Sequence, residues 1–281
     1  MTLNEARRRI VRALNEAGTT SPGLEADYIL GFVLGVSRAF IMAYPDLAVS
    51  EEDNSRITEI LRRRSAREPL QYIIGSWDFY GRTLETPAGV LIPRPETELL
   101  VERALELLPA AGGTFLDWGT GTGCIALSLL SENTRLRGIA SDCNPLALAA
   151  SWRNLKRYGV LDRCLLWHSR TPEDLPVAPS SLDMLVSNPP YIKTSLIGSL
   201  MREVLHEPLP ALDGGADGMM WYLRLFAAAE RLLRPGGSLL FESGDREQSE
   251  ALVKFTPALL CLKGIIDDYS GTPRVLVWCR V

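Results

Sequence analysis

From Thr114 to the C-terminus the hydrophobic period of this chain keeps changing, and that alternation restricts the fold more than any other feature. Short apolar runs at 114–117, 136–141, 163–167, 183–187, 237–242, 261–267 and 274–280 read as strands. Helix-length amphipathic segments lie between most of them, notably 123–131, 145–157 and 217–233. The pattern predicts an α/β fold with a doubly wound, mostly parallel seven-stranded sheet and helices on both faces. Ligands of such sheets bind beyond the carboxyl ends of the strands, so the residues that follow each strand are the ones to read for chemistry.

The first seventy residues follow a different rule. Thr2 and Glu5 have capping-box spacing, with Ile10, Val11 and Leu14 on one face before Gly18. Ser21 and Pro22 open a second helix through Leu24, Ile29, Leu30 and Val33, ending near Gly35, and a short piece spans Ala39 to Ala43. Ser50 with Asp53 starts a fourth, which turns Ile57, Ile60 and Leu61 inward and Arg62, Arg63, Arg64 and Arg67 largely outward. That arginine run reads as a solvated face, with docking of an acidic partner as the sharper alternative. Pro69 breaks the pattern, and the glycine-punctuated stretch up to Pro93 and Arg94 reads as a hairpin connector. A helix then begins at Pro95, burying Leu99, Leu100, Ala104 and Leu107. The expected domains are 1–70, all helical; 71–94, a β-hairpin linker; and 95–281, the sheet.

Thirty basic against 34 acidic residues give a net charge of −4, so no global positive field holds a polyanion and nucleic acid is not the expected partner. Five cysteines without a C-x-x-C pair and only two histidines support neither a disulfide framework nor a zinc site. No apolar run approaches the ~18 residues of a membrane span, and a cytosolic protein with reduced thiols is expected.

Three strand ends carry chemistry. TFLDW runs into Gly119-Thr120-Gly121-Thr122-Gly123 and then a helical segment, where glycines let the backbone approach a ligand closely with the amides at the helix start facing it. Alone, this is a weak signal. Asp142, about twenty residues on, ends the next strand, where a carboxylate can accept both hydroxyl hydrogens of a ribose; the duller alternative is a cap before Asn144 and Pro145. The loop is short for a pyrophosphate, and Asp117 at its entrance suits a cationic or amine-bearing ligand better than a diphosphate. Asn188-Pro189-Pro190-Tyr191 follows the fourth strand directly. The side-chain oxygen of Asn188 and the carbonyl of Pro189 are two acceptors for the two hydrogens of a planar NH2 group, and the Tyr191 ring can pack on its π-system.

These motifs resemble those of class I S-adenosylmethionine-dependent methyltransferases acting on planar nitrogens, and most of all the bacterial release factor glutamine methyltransferase family, also called PrmC or HemK. The resemblance runs through Glu68-Pro69-Leu70-Gln71-Tyr72-Ile73, Asp78-Phe79-Tyr80-Gly81, the Pro93-Arg94-Pro95-Glu96-Thr97-Glu98 segment, LDWGTGTGCIAL and VSNPPYI. It continues through Glu207-Pro208, LLRPGG and the closing Asp268 to Arg274. It implies a Rossmann-like fold and S-adenosyl-L-methionine as cofactor, contacted by Asp117, the loop Gly119, Thr120, Gly121, Thr122 and Gly123, Asp142 and Asn188. It further implies that Asn188, Pro189, Pro190 and Tyr191 bind the substrate glutamine, with Asn188, Pro189 and Tyr191 catalytic. The substrate would be the Gly-Gly-Gln loop of peptide chain release factors, gripped with help from the helical domain. The Pro93 to Glu98 segment favours release factors over ribosomal proteins. A monomer is what the resemblance implies, while no direct nucleic acid, no membrane and a cytoplasmic location are the expectations already drawn from charge, apolar runs and cysteines.

Two departures stand out: Trp118 where relatives often carry Leu, expected to pack in the core, and Ser169 with Arg170 where they often carry Asp and an aromatic beside the adenine. No adenine contact is assigned. Neither His168 nor His206 lies in a motif. The competing readings are an adenine amino-methyltransferase acting on DNA or RNA, because the same tetrapeptide suits an exocyclic amine, and a non-catalytic cofactor-binding protein.

Overall fold

A computed structural model describes residues 1–281, which divide into two compact units: Met1–Ser76 with Met201–His206, and Trp77–Leu200 with Glu207–Val281.

The first unit is helical. Helix α1 (Leu3–Glu16) starts with the capping box of Thr2 and Glu5, and α2 (Pro22–Leu34) ends on Gly35 in the left-handed conformation. A short α3 (Arg38–Ala43) and then α4 (Glu51–Ser65) follow, the latter capped by Ser50, whose hydroxyl accepts from the Asp53 amide. Helix α5 (Leu70–Ile74) occupies the start of the stretch read as a hairpin connector: Pro69 caps one turn before Gly75 ends it. Leu3, Ile10, Leu14, Ile29, Leu30, Ile57 and Ile73 share one core. Around it, buried charges are paired. Asp27 accepts from Arg7 Nε at 2.6 Å and Arg38 Nε at 2.9 Å. Arg64 is not on a solvated face: it is 4% exposed and bridges Glu25 at 2.8 Å and Glu203 at 3.0 Å. The remaining arginines of that run also pair, Arg62 with Glu59, Arg63 with Glu68 and Arg67 with Glu203.

The second unit holds the sheet. A two-stranded hairpin, β1 (Ser76–Phe79) and β2 (Arg82–Glu85), precedes α6 (Thr97–Leu107), which begins two residues after the expected Pro95. Strands β3 (Gly113–Trp118), β4 (Leu136–Asp142), β5 (Cys164–His168), β6 (Leu182–Ser187), β7 (Leu233–Glu242), β8 (Leu260–Asp267) and β9 (Pro273–Arg280) form one sheet in the order β5-β4-β3-β6-β7-β9-β8. All neighbours run parallel except β9, which is antiparallel to both β7 and β8. The crossover helices are α7 (Cys124–Glu132), α8 (Pro145–Arg157), α9 (Met220–Leu232) and α10 (Arg246–Lys254).

Alternation along the strands divides the core in two. Phe115, Met184, Val186 and Leu240 face α6 and α7 with Leu100, Ile125 and Leu129. Leu116, Leu185, Leu239 and Phe241 face α9 with Tyr222, Leu225 and Phe226. Strands covered on both faces are what a parallel sheet requires, and their nearly unbroken apolar runs follow from it. The chain winds from β3 outward to β5, then returns to place β6 on the other side of β3. The switch point therefore lies between β3 and β6, whose ends carry the glycine loop and Asn188.

Candidate active site

The β3–β6 register pairs Asp117 with Val186, so Asn188 stands beside the first loop glycine. Gly119, Gly121 and Gly123 all have positive φ, at 74°, 56° and 82°. At Gly123 a second constraint acts, since a Cβ there would lie 2.5 Å from Ser151 Oγ on α8. The loop's amides turn inward. Gly119 N and Thr120 N both donate to Ser141 O, Gly123 N to Thr120 O, and Gly121 N to Asp142 Oδ2 at 2.9 Å. The loop thus offers a ligand its contour more than its donors, which differs from the expectation of amides facing the ligand.

Asp117 is fully buried under this loop. Its Oδ2 accepts from Thr120 Oγ1 at 2.6 Å and Ala126 N at 3.2 Å, while Oδ1 is buried with no partner in the chain. Burial pushes its carboxyl up to about 7, opposed by the Thr120 and Ala126 hydrogen bonds. Asp142 is held by Gly121 N and by Asn144 N, the latter at 2.8 Å, and burial raises its carboxyl above the usual range. Asn144 caps α8 through Leu146 N and donates to Gly89 O at 2.7 Å.

A cavity of about 520 Å³ opens at these strand ends. Of the residues singled out in the sequence, Gly119, Gly121, Asp142, Asn188 and Pro190 line it. Asp117, Thr120 and Thr122 are buried beneath the loop, and Gly123, Pro189 and Tyr191 are not part of its wall. Tyr191 instead borders a second cavity of about 320 Å³ with Lys193, Gly244 and Gln248. Its carbonyl accepts from Gln248 Nε2 at 3.1 Å, and burial pushes its phenol up to about 12. Trp118 packs in the core as expected, yet it also reaches the first cavity, where its ring lies 5.1 Å from that of Trp221. Arg170 lines the same wall beside Cys143, whereas Ser169 is buried.

Sequence reasoning passed over several neighbours of Asn188. Its Nδ2 donates to Thr97 Oγ1 at 3.1 Å, and Thr97 Oγ1 donates in turn to Glu242 Oε2 at 2.6 Å. Glu242 is 1% exposed, and burial pushes its carboxyl up to about 7. Glu207 accepts from Ile92 N at 3.0 Å and from Arg94 Nη2 at 2.5 Å, tying the Pro93 to Glu98 segment to the Pro208–Asp213 stretch of the cavity wall. Arg274 donates to Ser243 O and Gly244 O and pairs with Asp268, fixing the turn after β7. The single hydroxyl of the Pro-rich segment, Thr97, gave a signal only as part of a motif; Glu242 gave none beyond ending a strand.

The donor set fits an adenosine-type cofactor. Asp142 at the second strand end suits a ribose diol and the volume suits a nucleoside-sized group, while Asp117, with its unused acceptor, lies buried beneath the loop and outside the cavity wall. With β9 reversed beside β7 and the site at the β3–β6 switch point, the fold and site are those of a class I methyltransferase.

Comparison with known proteins narrows the class. A family model described as PrmC N-terminal domain matches residues 5–75, and one described as methyltransferase small domain matches residues 95–221. The release factor glutamine methyltransferase of Nitratidesulfovibrio vulgaris is 40% identical over 278 residues, covering 98% of this chain and 94% of that protein. Its counterpart in Moorella thermoacetica is 37% identical over 283 residues, covering 100% and 99%. Among solved structures, a ribosomal protein L11 methylase from Lactobacillus delbrueckii subsp. bulgaricus overlaps at a TM-score of 0.48 with 16% identity, over 73% of this chain and 89% of that one. The chain belongs to the release factor glutamine methyltransferase family.

Proposed function

We propose that this protein methylates the side-chain amide nitrogen of the glutamine in the Gly-Gly-Gln loop of peptide chain release factors. The observation that carries the reading is the Asn188 carboxamide, whose nitrogen is engaged by Thr97 and whose oxygen is left as an acceptor at the wall of a cofactor-sized cavity. Relatives bearing the release factor name match nearly the whole chain, which supports the same substrate here.

An amide nitrogen is a poor nucleophile because its lone pair is delocalised into the carbonyl. The cofactor supplies an electrophilic methyl group on a sulfonium sulfur. Asn188 Oδ1 and the Pro189 carbonyl accept the two N–H hydrogens and turn the lone pair toward that methyl, while Tyr191 fixes the plane of the amide. Consecutive prolines hold the Pro189 carbonyl in place. Asp142 engages the ribose, Asp117 the ammonium, and Gly119 to Gly123 shape the floor. Catalysis comes from positioning and from acceptors set in advance. A general base is not needed, because the methylated, positively charged amide nitrogen is a strong acid and releases its proton to water.

In this reading residues 1–70 help grip the folded substrate, 71–94 link, and 95–281 perform the transfer. The enzyme works as a cytoplasmic monomer on a protein, without direct nucleic acid or membrane contact. The acidic balance supports a protein and not a nucleic acid as the substrate.

The test is transfer of labelled methyl to purified release factor. Label is expected on the loop glutamine and is expected to vanish when that glutamine is replaced. Asn188→Ala should lower turnover by at least about 100-fold, the scale of a lost preorganised hydrogen bond in a desolvated site. Label that persists on the replaced loop, or that goes to duplex DNA at low salt instead, overturns the reading.

A further inference from the structure

We infer that Thr97 and Glu242 are positioning residues which fix the direction of the Asn188 carboxamide and thereby make the site select a carboxamide over a carboxylate. The inference rests on the proposed grip of Asn188 on the substrate amide and adds how that grip acquires its polarity.

An asparagine side chain has two ends of nearly equal shape, one donor and one acceptor. Turned one way it accepts from a substrate NH2 group; turned the other it presents hydrogens and suits a carboxylate. Something must decide. An ionised carboxylate can only accept, so Glu242 Oε2, 2.6 Å from Thr97 Oγ1, takes the single hydroxyl proton of Thr97. Thr97 then has only lone pairs left, and the partner it can serve is a donor: Asn188 Nδ2, at 3.1 Å. Reversing the amide would set Asn188 Oδ1 against an oxygen whose proton is already committed. The oxygen is therefore the end directed to the substrate.

The relay is buried, with Thr97 2% and Glu242 1% exposed, so water does not supply a substitute donor. It joins residues from three separate segments, the first position of α6, the loop after β6 and the end of β7. No guanidinium hydrogen-bonds to Glu242. Arg274 directs its hydrogens to Ser243 O, Gly244 O and Asp268. A buried carboxylate held by one hydroxyl is a poor structural choice, since an apolar side chain of similar size would pack without desolvating a charge. The carboxylate supplies what a neutral group cannot: a one-way demand for protons. Burial pushes Glu242 up to about 7, so the demand weakens as pH falls through that value. The titratable and charged groups around it are Arg94 and Glu96 ahead of α6, Cys124 on α7, Tyr191 after β6, Tyr222 on α9 and Arg274 on β9.

The test uses the full chain with release factor and saturating S-adenosyl-L-methionine, alongside competition by release factor carrying glutamate in place of the loop glutamine. Thr97→Val is expected to lower kcat by about tenfold or more, with cofactor affinity within about twofold, and Thr97→Ser to restore most of the loss. The preference for the glutamine loop over the glutamate loop should narrow by about tenfold in Thr97→Val, a change that a merely structural role would not produce. In the wild type kcat should rise with pH through about 7, and Glu242→Gln should flatten that limb. A folded Thr97→Val that keeps wild-type kcat and the same glutamine preference overturns the inference. Should that variant fail to fold, an unchanged pH limb in Glu242→Gln overturns it instead. Wild-type enzyme inactive on every release factor overturns the functional reading and this inference with it; active wild type beside an indifferent Thr97→Val overturns this inference alone.

Discussion

The helical unit and the sheet unit bury charge in opposite ways. In the helical unit Asp27 meets two guanidiniums, and Arg64 meets two carboxylates. At the strand ends of the sheet unit, Asp117 and Glu242 are at least as deeply buried yet are met by hydroxyls and, for Asp117, a backbone amide. Pairing makes a buried charge tolerable and directional but satisfies it, leaving nothing to offer a ligand. Charges without a counterion keep that capacity at a cost in stability. The sheet unit does pair Glu207 with Arg94 and Asp268 with Arg274, but those pairs brace loops around the cavity and do not occupy the strand ends that carry Asp117 and Glu242.

The sharpest break in this contrast would come from Arg64→Ala. It leaves Glu25 without a guanidinium, while Glu203 keeps only Arg67, and chemical denaturation of the full chain should show a loss of about 3 kcal/mol. A loss below about 1 kcal/mol would mean the pairing is ornamental. Glu242→Gln should move the other way. Burial pushes its folded carboxyl up to about 7 from an ordinary value of 4.5, so between those values the folded state binds more protons than the unfolded one and wild-type stability falls as pH rises. The penalty is complete above 7. Thermal unfolding should therefore show the variant more stable by about 2 kcal/mol at pH 8 and equal to wild type near pH 4, despite its impaired turnover.

A smaller effect sharpens the role of Asp117. If its free oxygen meets an ammonium, cofactor affinity in the wild type should weaken about tenfold as pH falls from 8 to 6, because protonation removes the attraction. Asp117→Asn should bind less well at pH 8 and lose that pH dependence, as read by titration calorimetry. Least of all is expected from Arg62→Ala. Its pair with Glu59 is 70% and 56% exposed, so water and salt screen it and the unfolding midpoint should not move measurably.

Much of the sheet was readable because each strand is a compact apolar run flanked by turn residues, and because parallel strands must be covered on both faces. The seven strands fall within a few residues of where the pattern put them, β7 excepted, which begins four residues early at Leu233. Helix α10 was not singled out, being short and polar apart from Leu252 and Val253. The turn Leu70–Ile74 escaped because β-branched and aromatic residues there favour a strand, whereas Pro69 and Gly75 bracket a single helical turn. Arg64 was misplaced for a different reason: Glu203 lies 139 positions away, and local periodicity says nothing about such a partner. The same blindness hid Thr97 and Glu242, 145 positions apart. Asp142 and Asn188 could be located because strand ends are local features; what directs their side chains is not.

The wall of the larger cavity carries two indoles, Trp118 and Trp221, set 5.1 Å apart, while Trp278 is sealed in the core behind Phe226 and Phe241. Three further indoles, Trp77, Trp152 and Trp167, lie outside that wall, so emission from beside the binding chamber is the part of the signal that replacing Trp118 and Trp221 removes. Read as that difference, the two wall indoles give an optical gauge of occupancy that needs neither a dye nor a label.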